Sequence, residues 1–148
     1  MATDNSNENR KKRRDIKPKF IISSVPQLPS KKISEAQRIQ LEVISHTNFN
    51  LFDGRKITKL LEENHRMWQS VLMPLDFISL RDMQNGRWHA DTLYIYPEDG
   101  YQFELEELVR EQFNADEIHW TAGSDAVDML GTTEAEDKLY VILQAWWD

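Results

Sequence analysis

The chain has 148 residues, of which 40% are hydrophobic and 10% aromatic, with 25 acidic side chains against 18 basic ones and no cysteine. That suffices for one hydrophobic core and a tail. It excludes disulfide frameworks and thiolate metal sites, and no apolar run approaches the ~20 residues of a membrane-spanning helix. The formal net charge of −7 hides a strong asymmetry between the two ends. Residues 1–32 carry nine basic and three acidic side chains, a net of +6, whereas residues 33–148 carry a net of −13. From Pro97 to Asp148, fourteen acids face only Arg110 and Lys138. A basic tail tied to an acidic domain implies electrostatic partners.

Residues 1–32 read as a flexible basic tail and linker, because residues 1–18 hold almost nothing that could be buried. The cluster Lys11-Lys12-Arg13-Arg14 could displace counterions from phosphates. It is the one place where weak nucleic-acid contact is expected. Phe20 to Val25 is an apolar island bounded by Pro18 and Pro26, and it reads as an edge strand or a strap. Pro26 to Pro29 makes an extended linker.

Residues 33–148 read as one acidic domain. Ser34 and Gln37 have the spacing of a capping box, and Ala36, Ile39 and Val43, with Leu41 and Ile44 as further candidates, follow as a helix to about His46. Asp53-Gly54 reads as a turn. After it Ile57, Leu60, Leu61, Asn64, Met67, Trp68, Val71 and Leu72 recur at steps of three and four, which predicts an amphipathic helix stopped by Pro74. Asn85-Gly86 lies between two β-rich runs, residues 75–83 and 87–96, and predicts a hairpin. Pro97 to Gly100 reads as a turn and Leu105, Leu108, Val109 and Phe113 as one face of a helix. Glu117 to Thr121 is a short strand, Ser124-Asp125 caps a short helix ended by Gly131, and Leu139 to Trp147 is apolar on both parities like a central strand. The order ααββαβ(α)β predicts an α+β fold with a mainly antiparallel sheet of about four strands and helices packed on it.

No Gly-rich phosphate loop, paired-His helix, nucleophile elbow or EF-hand is present, and no cofactor is expected. A two-residue hairpin loop would place His89 opposite Asp82 with Asp91 on the same face. One imidazole and two carboxylates could bind a divalent ion for a small metal-assisted hydrolase. The leading expectation is a non-catalytic inhibitor, immunity-type factor or regulatory adaptor, cytoplasmic or, in a eukaryote, nuclear. It would dock a basic protein through Glu98, Asp99, Glu104, Glu107, Glu111, Asp128, Glu134, Glu136 and Asp137, in the manner of a phosphate backbone. Trp88 and Trp146 would serve as aromatic anchors.

Overall fold

Ser34 behaves as its spacing from Gln37 predicts. In the structure, a computed structural model that describes residues 31–73 and 86–148, the Ser34 hydroxyl accepts the Gln37 N–H at 3.1 Å and the Gln37 side chain accepts the Ser34 N–H at 2.9 Å. This starts helix α1, Glu35–Ser45. Its inner stripe is Gln37, Leu41 and Ile44, whereas Ile39, expected on the apolar face, is 61% exposed. A polar residue opens the buried stripe because its amide has work to do elsewhere, as the sheet shows below.

A two-residue ribbon follows, β1 (Asn48–Phe49) paired with β2 (Phe52–Asp53), and helix α2 (Gly54–Glu63) begins at once. Asp53-Gly54 is therefore a helix start rather than a free turn. The Asp53 carboxylate accepts the N–H groups of Arg55 and Lys56, which ties down two of the orphan donors of the first turn. Gly54 sits so close to α1 that a β-carbon there would lie 2.0 Å from the Ile44 carbonyl oxygen and 2.2 Å from that of Thr47.

The long helix expected through Leu72 ends at Glu63. Asn64 turns its amide back to the Leu60 carbonyl at 2.8 Å, the Trp68 indole takes the Leu61 carbonyl at 2.8 Å, and a 3-10 turn (His65–Met67) leads into strand β3, Trp68–Leu72. The spacing of three between Trp68 and Val71 had mimicked a helix. Its origin is a bulge: Trp68 faces Pro97 and Ser70 already faces Tyr96, so one extra residue lets both Trp68 and Val71 point into the core.

Strand β4 (Thr92–Pro97), helix α3 (Gln102–Gln112), strand β5 (Glu117–Ala122), the short helix α4 (Ser124–Leu130) and strand β6 (Val141–Trp146) complete the described elements. The four-stranded antiparallel sheet has the order β3-β4-β6-β5, so the α+β class and the central position of β6 agree with the sequence reading. The hairpin does not. β4 pairs with β3 and β6, its strand begins only at Thr92, and Trp88 forms a lone parallel bridge to Thr47. Residues 75–83, expected to pair with it, lie outside the described residues. Helix α4 also departs in detail, since Gly123 occupies the cap position and no side chain caps the helix.

Alternation along β4 and β6 sorts the layers. Leu93, Ile95, Leu143 and Ala145 share one core with α1, α2 and α3 through Leu41, Ile57, Leu105 and Val109. The opposite parity, Tyr94, Tyr140 and Ile142, packs with Ala126 and Val127 of α4. Consecutive tryptophans near the end divide accordingly. Trp147 is fully buried in the larger core, edge-on to Phe52 at 4.5 Å, with its indole donating to the Phe113 carbonyl at 3.2 Å. Trp146 is half-buried on the other face and donates to Asp91 at 3.3 Å. No described helix is long and apolar enough to cross a membrane.

The outer edge of β3 is closed by α1. Gln37 Nε2 donates to the carbonyls of Trp68 (3.2 Å) and Gln69 (3.1 Å), the Val71 N–H donates to Gln40 Oε1 at 3.2 Å, and Lys31 Nζ donates to the Trp68 carbonyl at 3.1 Å. Glutamine side chains thus stand in for a fifth strand and protect an edge that could otherwise pair with another chain. Removing the amide in Gln37→Ala leaves the Gln69 carbonyl and the Ser34 N–H without these partners. Stability should fall by about 1–3 kcal/mol, read from the midpoint of urea unfolding. An unchanged midpoint would mean that the edge needs no closure.

Candidate docking surface

The C-terminal end of β4, the N-terminus of α3 and the start of β6 meet at one end of the sheet, because β4 and β6 run antiparallel with Ile95 opposite Leu143. Glu98 and Asp99 project from the turn after β4, and Glu104 lies in the first turn of α3. From Gly131 to Leu139 every residue is exposed, and this loop brings Glu134, Glu136 and Asp137 to the same end. Large apolar side chains are exposed here too: Phe103 (70%), Leu139 (64%) and Tyr101 (39%).

Helical geometry explains Phe103. Leu105, Leu108 and Val109 define the buried face of α3, and at 3.6 residues per turn position 103 falls nearly opposite them. The apolar face read from the sequence left this residue out, and its mismatch with the stripe was the available signal.

Two cations sit at this end. Lys31 pairs with Glu98. The Lys138 ammonium lies 5.9 Å and 5.3 Å from the ring centres of Tyr96 and Tyr140, and the Tyr96 side chain, its hydrogen-bond partner, raises its pKa. Glu134, Glu136 and Asp137 remain exposed and make no ion pair among the described residues. The end of the sheet therefore presents exposed apolar side chains beside carboxylates, of which Glu134, Glu136 and Asp137 have no ion-pair partner among the described residues.

The remaining expected contacts are dispersed. Glu107 and Glu111 extend along α3 toward the far end of the sheet, while Asp128 lies on α4, which packs on the opposite face. No flat partner can touch both layers at once except across the sheet end. Trp88 and Trp146 are half-buried, the first held by backbone bonds to His46 and Asn48 and the second by Asp91.

The hairpin-tip cluster rests on Asp82, which lies outside the described residues, as do Lys11, Lys12, Arg13 and Arg14. Among the described residues no group of three His, Asp or Glu side chains is placed to hold a metal ion. Both carboxylate oxygens of Asp91 are engaged, one by the Thr92 hydroxyl at 2.8 Å and the other by the Trp146 indole. Its role here is to clamp β6 onto β4.

Beside this acidic end, Glu106 joins α3 to β5. The Trp120 indole donates to it at 2.7 Å and Arg110 pairs with it, and these two bonds, the indole first, hold its carboxyl below the ordinary carboxylate pKa of 4.5. Because the folded value is the lower one, the stabilisation is whole above that ordinary value and disappears as pH falls through the lowered one. Acid titration should therefore shift Trp120 fluorescence below pH 4.5, and Glu106→Gln should weaken that step. An identical titration in the variant would exclude the indole–carboxylate bond as its source.

The fold and this surface define a small α+β domain with a four-stranded antiparallel sheet and an acidic, aromatic-bearing end. Compared with known proteins, the chain matches no family model, no curated protein and no solved structure.

Proposed function

We propose that this protein is a non-catalytic interaction factor, an inhibitor or regulatory adaptor that docks a basic protein through the acidic end of its sheet. The observation that supports this most is the coincidence of Phe103, Tyr101 and Leu139, all exposed, with Glu98, Asp99, Glu104, Glu134, Glu136 and Asp137 at that end. Large apolar side chains supply affinity once desolvated, and the surrounding carboxylates steer a cationic partner and exclude anionic ones. A partner that ordinarily binds nucleic acid would meet carboxylates where it expects phosphates. The lack of cysteine fits a reducing, cytoplasmic setting.

Capture with the immobilised full-length protein from a lysate of its source cells tests this reading. A basic protein should be retained at low salt and released at high salt, since exposed charge pairs are screened beyond about 10 Å at 0.1 M ionic strength. Phe103→Ala should weaken retention by about tenfold or more, as expected for an aromatic anchor. Reversing Glu134, Glu136 and Asp137 to lysine should abolish retention. Retention indifferent to both changes would place the interaction elsewhere.

A further inference from the structure

A second concave site shares no residue with the docking end. The junction of α1, the β1–β2 ribbon and α2 forms an open cleft of about 550 Å³ lined by Ser45, His46, Asn48, Asn50, Arg55 and Arg87, with Phe52, Asp53 and Gly86 also in its wall. That volume is in the range of small-molecule sites, about 300–1,000 Å³, and far exceeds what a bare ion needs. The packing that shapes it is tight. The Gly54 N–H donates to the Thr47 carbonyl at 3.0 Å, and the absence of a β-carbon at Gly54 lets α2 start directly against the end of α1. Asn50 holds a left-handed backbone (φ 48°) at the ribbon turn, and its amide donates to the Asp148 carbonyl.

The charges are unusual for this molecule. In a domain with a net of −13, Arg55 and Arg87 converge on one cleft, and neither has a carboxylate partner among the described residues. With the Asn48 amide turned so that its oxygen faces Arg87, the orientation that satisfies both of its ends, the Arg87 guanidinium donates to that oxygen at 3.3 Å and the amide nitrogen donates to the Thr47 carbonyl at 2.7 Å. His46 stands at the rim against Glu42. Among the described residues Asp53 is the one carboxylate in the lining, and it is occupied with the Arg55 and Lys56 N–H groups. The helix end is thereby already capped, so the binding power of the cleft rests on the guanidinium pair. Two planar forks suit the oxygens of a phosphate. The Ser45 hydroxyl donates to the Glu42 carbonyl at 2.6 Å and keeps acceptor lone pairs, and Asn48 and Asn50 each keep a second amide N–H, for a polar body attached to it.

We propose that this cleft binds a small phosphate-bearing molecule through Arg55 and Arg87, with Asn48 and Asn50 contacting its polar body. Calorimetric titration of the full chain with pyrophosphate, at constant ionic strength in a chloride background, tests it. Saturable binding is expected, weakened about tenfold or more by Arg55→Gln and by Arg87→Gln, because each removes a charge-assisted contact. Arg66→Gln, an exposed arginine outside the cleft, should leave it unchanged. The amide resonances of Asn48 and Asn50 should shift on titration, a readout that stability changes in the variants do not supply. No saturable binding at millimolar pyrophosphate, binding that survives the double variant, or equally tight binding of succinate would each overturn the assignment.

Discussion

Replacing Gly54 with alanine should destabilise the domain by about 3 kcal/mol or more, at or beyond the upper end of what overpacking ordinarily costs. The reason is geometric. The new β-carbon would fall 2.0 Å and 2.2 Å from two backbone oxygens, those of Ile44 and Thr47, and backbone cannot rotate aside as a flexible side chain can. Either α2 moves away from α1, breaking the Gly54–Thr47 hydrogen bond, or the last turn of α1 is distorted. At an unobstructed helical position the same change stabilises by roughly 0.5–1 kcal/mol, so even its sign is diagnostic. Urea unfolding followed by tryptophan fluorescence reads the result, and an unchanged or raised midpoint would show that the α1–α2 junction is looser than described. The same substitution should weaken pyrophosphate binding, because Arg55 is carried by the first turn of α2.

Trp147→Ala should cost about 3–5 kcal/mol, whereas Trp146→Ala, one residue earlier, should cost about 1–2 kcal/mol. Trp147 is 0% exposed, packs against Phe52 and satisfies the Phe113 carbonyl at the end of α3, so its loss opens a cavity and strips a buried acceptor. Trp146 loses a half-buried ring and one hydrogen bond to Asp91. Equal costs for the two variants would contradict the assignment of the two indoles to opposite faces of β6.

The parity argument that separated these tryptophans was legible in the sequence, because a strand has a period of two whatever surrounds it. The same holds for the Ser34–Gln37 capping box, which closes within one turn of helix. The misreadings share a different cause. Trp68 and Val71 continued a helical spacing, but a bulge in a strand yields the same step of three, and only the pairing partner distinguishes the two. Gln37 reads from the sequence only as the capping-box partner of Ser34, yet it is buried because its amide also meets the edge of a strand more than thirty residues away. Phe103 is exposed because it lies on the side of α3 away from the sheet, a place that the stripe Leu105, Leu108 and Val109 already implied.

The candidate surfaces follow the same division. That the last third of the chain is acidic, that it lacks familiar catalytic strings and that its aromatic content can build a core are properties of composition, independent of conformation. Which acids stand together is not. The sheet separates Glu107 and Glu111 from Asp128, gathers Glu98, Asp99 and Glu104 near the 131–139 loop, and brings Arg55 and Arg87 to one cleft across a separation of thirty-two positions. Local periods and caps are legible in the chain because they depend on neighbours within a few residues, and the overall charge because it is a sum over composition. The closed sheet edge, the acidic end and the cationic cleft are each made by groups distant in the chain that only strand pairing and helix packing can bring together.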